Sequence, residues 1–139
     1  MPVRLSARDV RSIVAGARRA ARRLREVCGL LVDHGGLVRM VPTPNRSKEP
    51  CSFWIGRQDW RRVEKAAVTL GSRVVGTFHS HVASHPAPGP GDIRGAIGGQ
   101  IMIIIDSING EIRAWRIRRR RAFPMKHTVV RLPPGRSGA

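Results

Sequence analysis

Three side chains in the middle of the chain could bind one metal ion. His79 and His81 are separated by a single residue, and Asp92 follows after ten more. On an extended segment, side chains two residues apart point to the same side, so both imidazoles could reach one ion. The residues between His81 and Asp92 are rich in proline and glycine, which predicts a loop that brings the carboxylate to the same place.

Two histidine nitrogens and one aspartate oxygen leave a fourth tetrahedral position for water, as in a catalytic zinc site. The predicted cofactor is therefore one zinc ion per chain, although the same donors also accept cobalt and other divalent ions. His79 by itself is more often a packing or surface residue, and metal binding is favoured only when Glu26, His81 and Asp92 are considered together with it. His85, in the same loop, is predicted to be a solvent-exposed imidazole rather than a further ligand.

Two segments of the chain, with Asp92 behind them, carry a resemblance to a known family. The segments are Glu26-Val27-Cys28-Gly29-Leu30-Leu31-Val32 and Val75-Gly76-Thr77-Phe78-His79-Ser80-His81. Together they resemble the prokaryotic branch of the JAMM (JAB/MPN, Mov34-type) zinc metallopeptidase domain. The resemblance covers most of the chain and implies a three-layer α+β fold, similar to cytidine deaminase, in which helices flank a mixed β-sheet.

The resemblance implies a role for each residue of the motif. His79, His81 and Asp92 would bind the zinc ion, and Glu26 would be the general base that activates water. For Glu26 the alternative is a plain ion pair with a neighbouring arginine, at position 22 or 25. Ser80 has no free base beside it, so it is predicted to be a supporting hydrogen-bond partner and not a nucleophile.

Two positions depart from the family's pattern. Gly89 stands three residues before Asp92, where the family has a serine whose hydroxyl helps to stabilise the tetrahedral intermediate. Losing one such donor typically costs about 3 kcal/mol of transition-state stabilisation, unless a backbone N–H or water replaces it. Val82 stands where bacterial members often have proline. The replacement of the serine by Gly89 is expected to lower the rate of turnover but not to affect metal binding.

The resemblance implies a zinc-dependent metallopeptidase that hydrolyses the C-terminal amide or isopeptide bond of a ubiquitin-like or sulfur-carrier protein. Two alternatives stay open. The first is an MPN-type binding module with weak or no activity, because Gly89 replaces the serine. The second is a nucleic-acid-associated protein similar to the RadC type, because the chain is strongly basic.

The net charge of +17, from 26 Lys and Arg against 9 Asp and Glu, predicts contact with polyanions through an arginine-rich surface. Four consecutive arginines at 118–121 form the densest run, although such runs are usually solvated faces. With six Trp and Phe and no Tyr, a stacking platform for single-stranded nucleic acid is not predicted. The three tryptophans, Trp54, Trp60 and Trp115, are predicted to pack in the core.

With 139 residues, of which 41% are hydrophobic, the chain is predicted to form one domain over 1–132 with a disordered tail over 133–139. Arginines interrupt the first twenty residues, and the longest apolar run, 101–105, is far too short to cross a bilayer. These features predict a cytoplasmic protein without membrane contact. Cys28 and Cys51 are predicted to be reduced, buried thiols.

Hydrophobic periodicity and turn residues predict the elements that must position these side chains. A helix capped by Ser6 extends to Leu24, a second covers 57–70, and a short third covers 92–96. Strands are predicted over 27–32, 37–41, 52–55, 73–78, 100–105, 111–118 and 126–131.

Overall fold

Residues 2–94 and 100–132 are described by a computed structural model of the protein. Most of this part of the chain is in regular secondary structure. In chain order, its elements are β1 (Val3–Ser6), α1 (Ala7–Ala21), β2 (Cys28–His34), β3 (Leu37–Thr43), α2 (Arg57–Thr69), β4 (Arg73–His81), α3 (Pro90–Arg94), β5 (Ile101–Asp106), β6 (Ile112–Arg118), β7 (Arg121–Met125) and β8 (His127–Val130).

These eight strands of the described residues form a single sheet in the order β7-β6-β5-β4-β2-β3-β1-β8. The pairs β4–β5, β1–β3 and β1–β8 are parallel, whereas the other neighbouring strands pair antiparallel. The sheet is therefore mixed, as predicted.

Helices cover both faces of this sheet. On one face, Ile13 and Ala17 of α1 are buried against a core that includes Phe78. On the other face, α2 contacts β4 and β2, and Ile93 of α3 packs against Met102. Three layers result, and the predicted α+β architecture of a mixed sheet flanked by helices is confirmed. Within the described residues, no helix combines the length and apolarity that a bilayer crossing requires.

The apolar run of β5 is explained by this two-sided cover. Ile103 and Ile105 belong to the core beneath α1, while Met102 and Ile104 belong to a smaller core on the opposite face. A strand buried on both faces reads as a continuous hydrophobic run instead of an alternating one. Its neighbour β4 is buried from Gly76 to its end, so the site-forming residues begin from a well-packed strand.

The prediction of a strand over 52–55 is wrong, because that segment belongs to an irregular loop. The side chain of Asn45 forms hydrogen bonds with backbone N–H and C=O groups that would pair with a neighbouring strand in a sheet. It donates to the carbonyl of Ser52 at 2.9 Å and accepts from the N–H of Trp54 at 3.1 Å. The segment is therefore part of a tethered loop, residues 44–56, which we call loop 44–56.

Other predicted boundaries differ in ways that have a local cause. The first helix ends at Ala21, because Leu24 adopts a left-handed backbone conformation with φ of 55° and is exposed. Strands β1 and β7 were not predicted, since one has only four residues and the other contains Pro124 and part of the arginine run. The end of the helix predicted over 92–96 and the tail predicted over 133–139 lie outside the described residues.

Two predictions of burial are wrong. Trp54 is 65% exposed, because loop 44–56 holds it at the surface, whereas Trp60 and Trp115 are half-buried. Cys51 is exposed in the same loop, while Cys28 is buried at the start of β2. Both errors come from the segment whose backbone does not follow the sheet.

We predict that Gly76→Ala destabilises the protein by about 3 kcal/mol, because β4 and β5 pair without room for a side chain. A Cβ at Gly76 would lie 1.7 Å from the carbonyl oxygen of Ile101. The matched control is Gly16→Ala in α1, where the nearest atom would lie 3.8 Å from the new Cβ. It should stabilise the helix by about 0.5 kcal/mol. Urea unfolding measures both, and an unchanged midpoint for Gly76→Ala contradicts the close pairing.

Candidate metal centre

The end of β4 presents two histidines on one face of the sheet. His79 and His81 alternate with Phe78 and Ser80, which lie on the opposite face of the extended segment. His79 is fully buried and His81 is 8% exposed. Their Nε2 atoms are 3.1 Å apart. The strand continues through both residues, three positions beyond its predicted end, because β5 pairs with it as far as His81 and Asp106.

Asp92 brings a carboxylate to the two imidazoles. It lies in α3, directly after the proline-rich loop, and its Oδ2 is 3.4 Å from His79 Nε2 and 3.3 Å from His81 Nε2. The backbone N–H of Gly89 donates to the same oxygen at 2.9 Å and so holds the carboxylate in place. The loop that the sequence predicts between His81 and Asp92 thus closes on the histidines.

These three atoms fit a tetrahedral zinc ion. Zinc–nitrogen and zinc–oxygen bonds of about 2.0 to 2.1 Å place neighbouring ligand atoms about 3.3 Å apart at tetrahedral angles. The observed separations of 3.1, 3.3 and 3.4 Å match that spacing. The three side chains could therefore hold a metal ion.

The backbone sets the tautomer of one histidine. The Nδ1–H of His81 donates to the carbonyl oxygen of His85 at 2.7 Å, so Nε2 is the ring nitrogen that faces the cluster. His85 contributes only this carbonyl, and its ring is exposed as predicted. The ring of His79 stacks on Phe53, with centroids 4.3 Å apart, and its Nδ1 has no hydrogen-bond partner among the described residues.

The electrostatics favour the protonation states that a cation requires at His79 and Asp92, but not at His81. Burial lowers the pKa of His79, so that its ring is neutral. Burial would raise the pKa of Asp92, but hydrogen bonds from His79 and His81 lower it well below its usual value. Burial also lowers the pKa of His81, yet Asp92 and the carbonyl of His85 together raise it above its usual value. A metal ion would compete with that proton for the Nε2 atom.

Glu26 reaches the same cleft from the segment just before β2. The hydroxyl of Ser80 accepts a hydrogen bond from the N–H of Val27 at 2.9 Å, and the N–H of Ser80 donates to the carbonyl of Val27 at 3.0 Å. Ser80 is thus a hydrogen-bond partner that ties the glutamate segment to β4. Glu26 is 7% exposed, and burial raises its pKa to about 7. It forms no ion pair with either neighbouring arginine, since Arg25 donates to backbone carbonyls instead.

Asn45 was not found by sequence reasoning, yet it links Glu26 to loop 44–56. Its side-chain nitrogen donates to the carbonyls of Glu26 and Ser52, both at 2.9 Å. Its side-chain oxygen accepts from the N–H groups of Ser47 and Trp54. The amide uses its full hydrogen-bonding capacity. The bond from Ser47 N–H is a local turn contact that asparagine favours, whereas the bond to Glu26, 19 residues away, has no local signal.

Two further contacts hold loop 44–56 over the site. Arg46 pairs with the buried Asp59 of α2 at 3.0 Å. Phe53 covers the His79 ring, as described above. The loop therefore forms one wall of a cleft of about 1030 Å³ that contains Glu26, His81 and Asp92. Its lining is mainly apolar and includes Phe53, Trp54, Trp60, Val82 and Met102.

Gly89 lies beside the cluster with space around it. A Cβ at this position would be 3.7 Å from Asp92 Oδ2, which is an ordinary contact distance. A serine would therefore fit where the sequence has glycine. The N–H of Gly89 is already committed to Asp92, so this backbone group does not replace the missing hydroxyl as a donor to a substrate.

Comparison with known proteins gives consistent matches. Residues 6–118 match the family model described as prokaryotic homologs of the JAB domain. A desampylase from Pyrococcus furiosus is 32% identical over 91 residues, which are 65% of this chain and 65% of the relative. Part of each protein thus lies outside that match.

Solved structures share the fold. A protein from Desulfitobacterium hafniense superposes with a TM-score of 0.78 at 20% identity, covering 95% of both chains. A JAB1/MPN domain protein from Archaeoglobus fulgidus superposes with a TM-score of 0.58 at 17% identity, covering 92% of this chain and 96% of the other.

We predict that Glu26→Gln removes a pH dependence from the stability of the metal-stripped protein. The pKa of Glu26 is about 7 in the folded chain, above its ordinary value of 4.5, so folding favours the protonated form. The contribution of protonated Glu26 to the free energy of unfolding is fully present below pH 4.5 and is lost as the pH rises to about 7. The variant should gain about 2 to 3 kcal/mol over the wild type between these limits.

Urea unfolding in a chelator at several pH values measures this gain. The control is Glu64→Gln, which changes an exposed carboxylate on α2. Parallel stability curves for wild type and Glu26→Gln would contradict the buried environment of this carboxyl group.

Proposed function

Because the chain belongs to the family of prokaryotic homologs of the JAB domain, we propose that it is a zinc-dependent metallopeptidase. The JAMM-type family predicted from the sequence is confirmed by that match. The observation that carries the proposal is the cluster of His79, His81 and Asp92, whose ligand atoms lie 3.1 to 3.4 Å apart beside a buried glutamate. In this proposal these three residues hold the zinc ion.

When bound, zinc supplies Lewis acidity, which acidifies water and polarises a carbonyl group. The ionised Asp92 and the neutral His79 favour a cation at this position. The hydrogen bond from His81 Nδ1 to the carbonyl of His85 orients the second imidazole. The chain thus provides a preorganised set of ligands with one coordination position left for the reaction.

Glu26 is the proposed general base. Burial raises the pKa of its carboxyl group in the metal-free chain, which strengthens it as a proton acceptor. The group would accept a proton from the attacking water and return it to the leaving amine. The water oxygen adds to the carbonyl carbon to give a tetrahedral intermediate, and the carbon–nitrogen bond then breaks as the amine takes up the proton, so a carboxylate and an amine are released. The Ser80–Val27 hydrogen bonds keep this glutamate at the end of β4.

The proposed substrate is the C-terminal amide or isopeptide of a ubiquitin-like or sulfur-carrier protein. The similarity to a protein named desampylase supports this class of reaction. The apolar cleft beside the cluster suits an extended peptide tail, and the net charge of +17 suits an acidic partner.

One observation favours a second function, that of an MPN-type binding module. Gly89 offers no hydroxyl, and its N–H is engaged by Asp92. An oxyanion donor is then missing from this side of the cleft, and the fold would bind a conjugate without cleaving it efficiently.

The first test is the metal content of the purified protein after loosely bound ions have been removed. We expect about one zinc ion per chain in the wild type and none in Asp92→Ala. His85→Ala is the matched control, because it removes an exposed imidazole from the same loop but keeps the backbone carbonyl. Elemental analysis measures all three proteins. A wild type without zinc would overturn the metal centre.

The second test separates the enzyme from the binding module. We expect Gly89→Ser to raise hydrolysis of a ubiquitin-like protein with a fluorogenic C-terminal amide by roughly 10- to 100-fold, because a hydroxyl donor is restored. Ala87→Ser places a hydroxyl elsewhere in the same loop and should change little. Glu26→Gln should abolish turnover in either background without loss of zinc. An inert Gly89→Ser protein with full zinc content favours the binding module, and full activity of Glu26→Gln removes its role as base.

A further inference from the structure

The segment that contains the last three strands is strongly basic and has no acidic residue. Residues 112–132 carry eight Lys and Arg and no Asp or Glu. Arg113 pairs with Glu111, just outside this segment. None of the ion pairs found among the described residues involves the four arginines at 118–121, and all four are exposed.

The pairing of β6 with β7 places an aromatic ring among these arginines. Arg118 lies opposite Arg121, and Arg116 lies opposite Phe123. Opposite residues, and residues two positions apart on a strand, share one face of a sheet. Phe123 is 47% exposed. These four side chains define the cationic hairpin face, a surface that the linear sequence does not reveal.

The cationic hairpin face points away from the metal centre. Ile117 and Ala122 alternate with its residues, and they pack against Met102 and Ile104 on the other side of the sheet. A ligand on the hairpin and a peptide in the cleft would therefore occupy opposite faces. The use of this surface is independent of the proposed peptidase activity.

The turn of the hairpin adds two more guanidinium groups. Arg119 and Arg120 have φ values of 48° and 61°, in the left-handed region that both central residues of a type I′ hairpin turn occupy. Asn-Gly is the favoured pair for such a turn, and arginine adopts this conformation at a cost. Strained residues of this kind cluster at functional sites. Here the turn carries charge beyond the end of the sheet.

We propose that the cationic hairpin face binds single-stranded nucleic acid, with a base stacked on Phe123 and phosphates bound by Arg118 and Arg121. The guanidinium fork matches phosphate oxygens, and any base can stack on an exposed aromatic ring. An acidic protein would complement the positive charge of this surface but would not use the exposed aromatic ring. A ring surrounded by guanidinium groups is matched better by a ligand that offers a flat base beside each phosphate.

The test is the fluorescence anisotropy of a labelled oligothymidylate of about 20 nucleotides, titrated with the full chain between about 50 and 200 mM salt. We expect Phe123→Ala to weaken binding about tenfold, because base stacking is lost, while Phe123→Tyr keeps the affinity. Replacing Arg118 and Arg121 together by serine should reduce the salt slope by about 1.4, since two phosphate contacts are lost.

The matched control replaces Arg8 and Arg11 of α1, two exposed arginines outside the hairpin, by serine. Near wild-type affinity of this control supports a defined surface, and equal weakening by both double variants would show diffuse attraction and overturn the proposal. Duplex binding that depends equally on Phe123 would overturn the single-strand assignment. Absent oligonucleotide binding, with hairpin-dependent binding of an acidic ubiquitin-fold protein, would assign the surface to a protein partner. Unfolding midpoints and zinc content verify that each variant is folded.

Discussion

The pairing of β2 with β4 is the constraint on which the site depends. Its register sets Cys28 opposite His79, and the two hydrogen bonds between Val27 and Ser80 extend the contact by one step. One of these bonds uses the Ser80 hydroxyl, so the residue between the two histidines also positions the glutamate. A slip of one residue would turn His79 and His81 to the opposite face of the sheet. Both halves of the site thus rest on one strand pair.

Two carboxyl groups in the cleft have opposite pKa shifts because their surroundings differ. Burial raises the pKa of Glu26, whereas hydrogen bonds from His79 and His81 keep Asp92 ionised despite its burial. One group therefore holds a permanent negative charge, and the other exchanges a proton near neutral pH. Such a division between neighbouring acids is how one site assigns binding to one group and proton transfer to another.

Local patterns predicted much of this arrangement, and long-range contacts account for the rest. The alternation around His79 and the apolar run of β5 are properties of extended chains, so they could be predicted from spacing. The proposed role of Glu26 came from a family resemblance and not from any local signal. Loop 44–56 was misassigned because the Asn45 side chain, near one end of the loop, hydrogen-bonds the backbone of Ser52 and Trp54, near its other end. β7 was missed because Pro124 is typical of loops and edge strands, and the exposure of Phe123 depends on that pairing.

Asn45 joins two parts of the site that a substrate would meet together. Its side-chain nitrogen is shared between the carbonyls of Glu26 and Ser52, and Phe53, the next residue, lies against the ring of His79. If a bound peptide moved Phe53 away from the His79 ring, the displacement of Ser52 would be transmitted through Asn45 to the segment that carries Glu26. One amide side chain thus couples the wall of the cleft to the segment that carries the proposed general base.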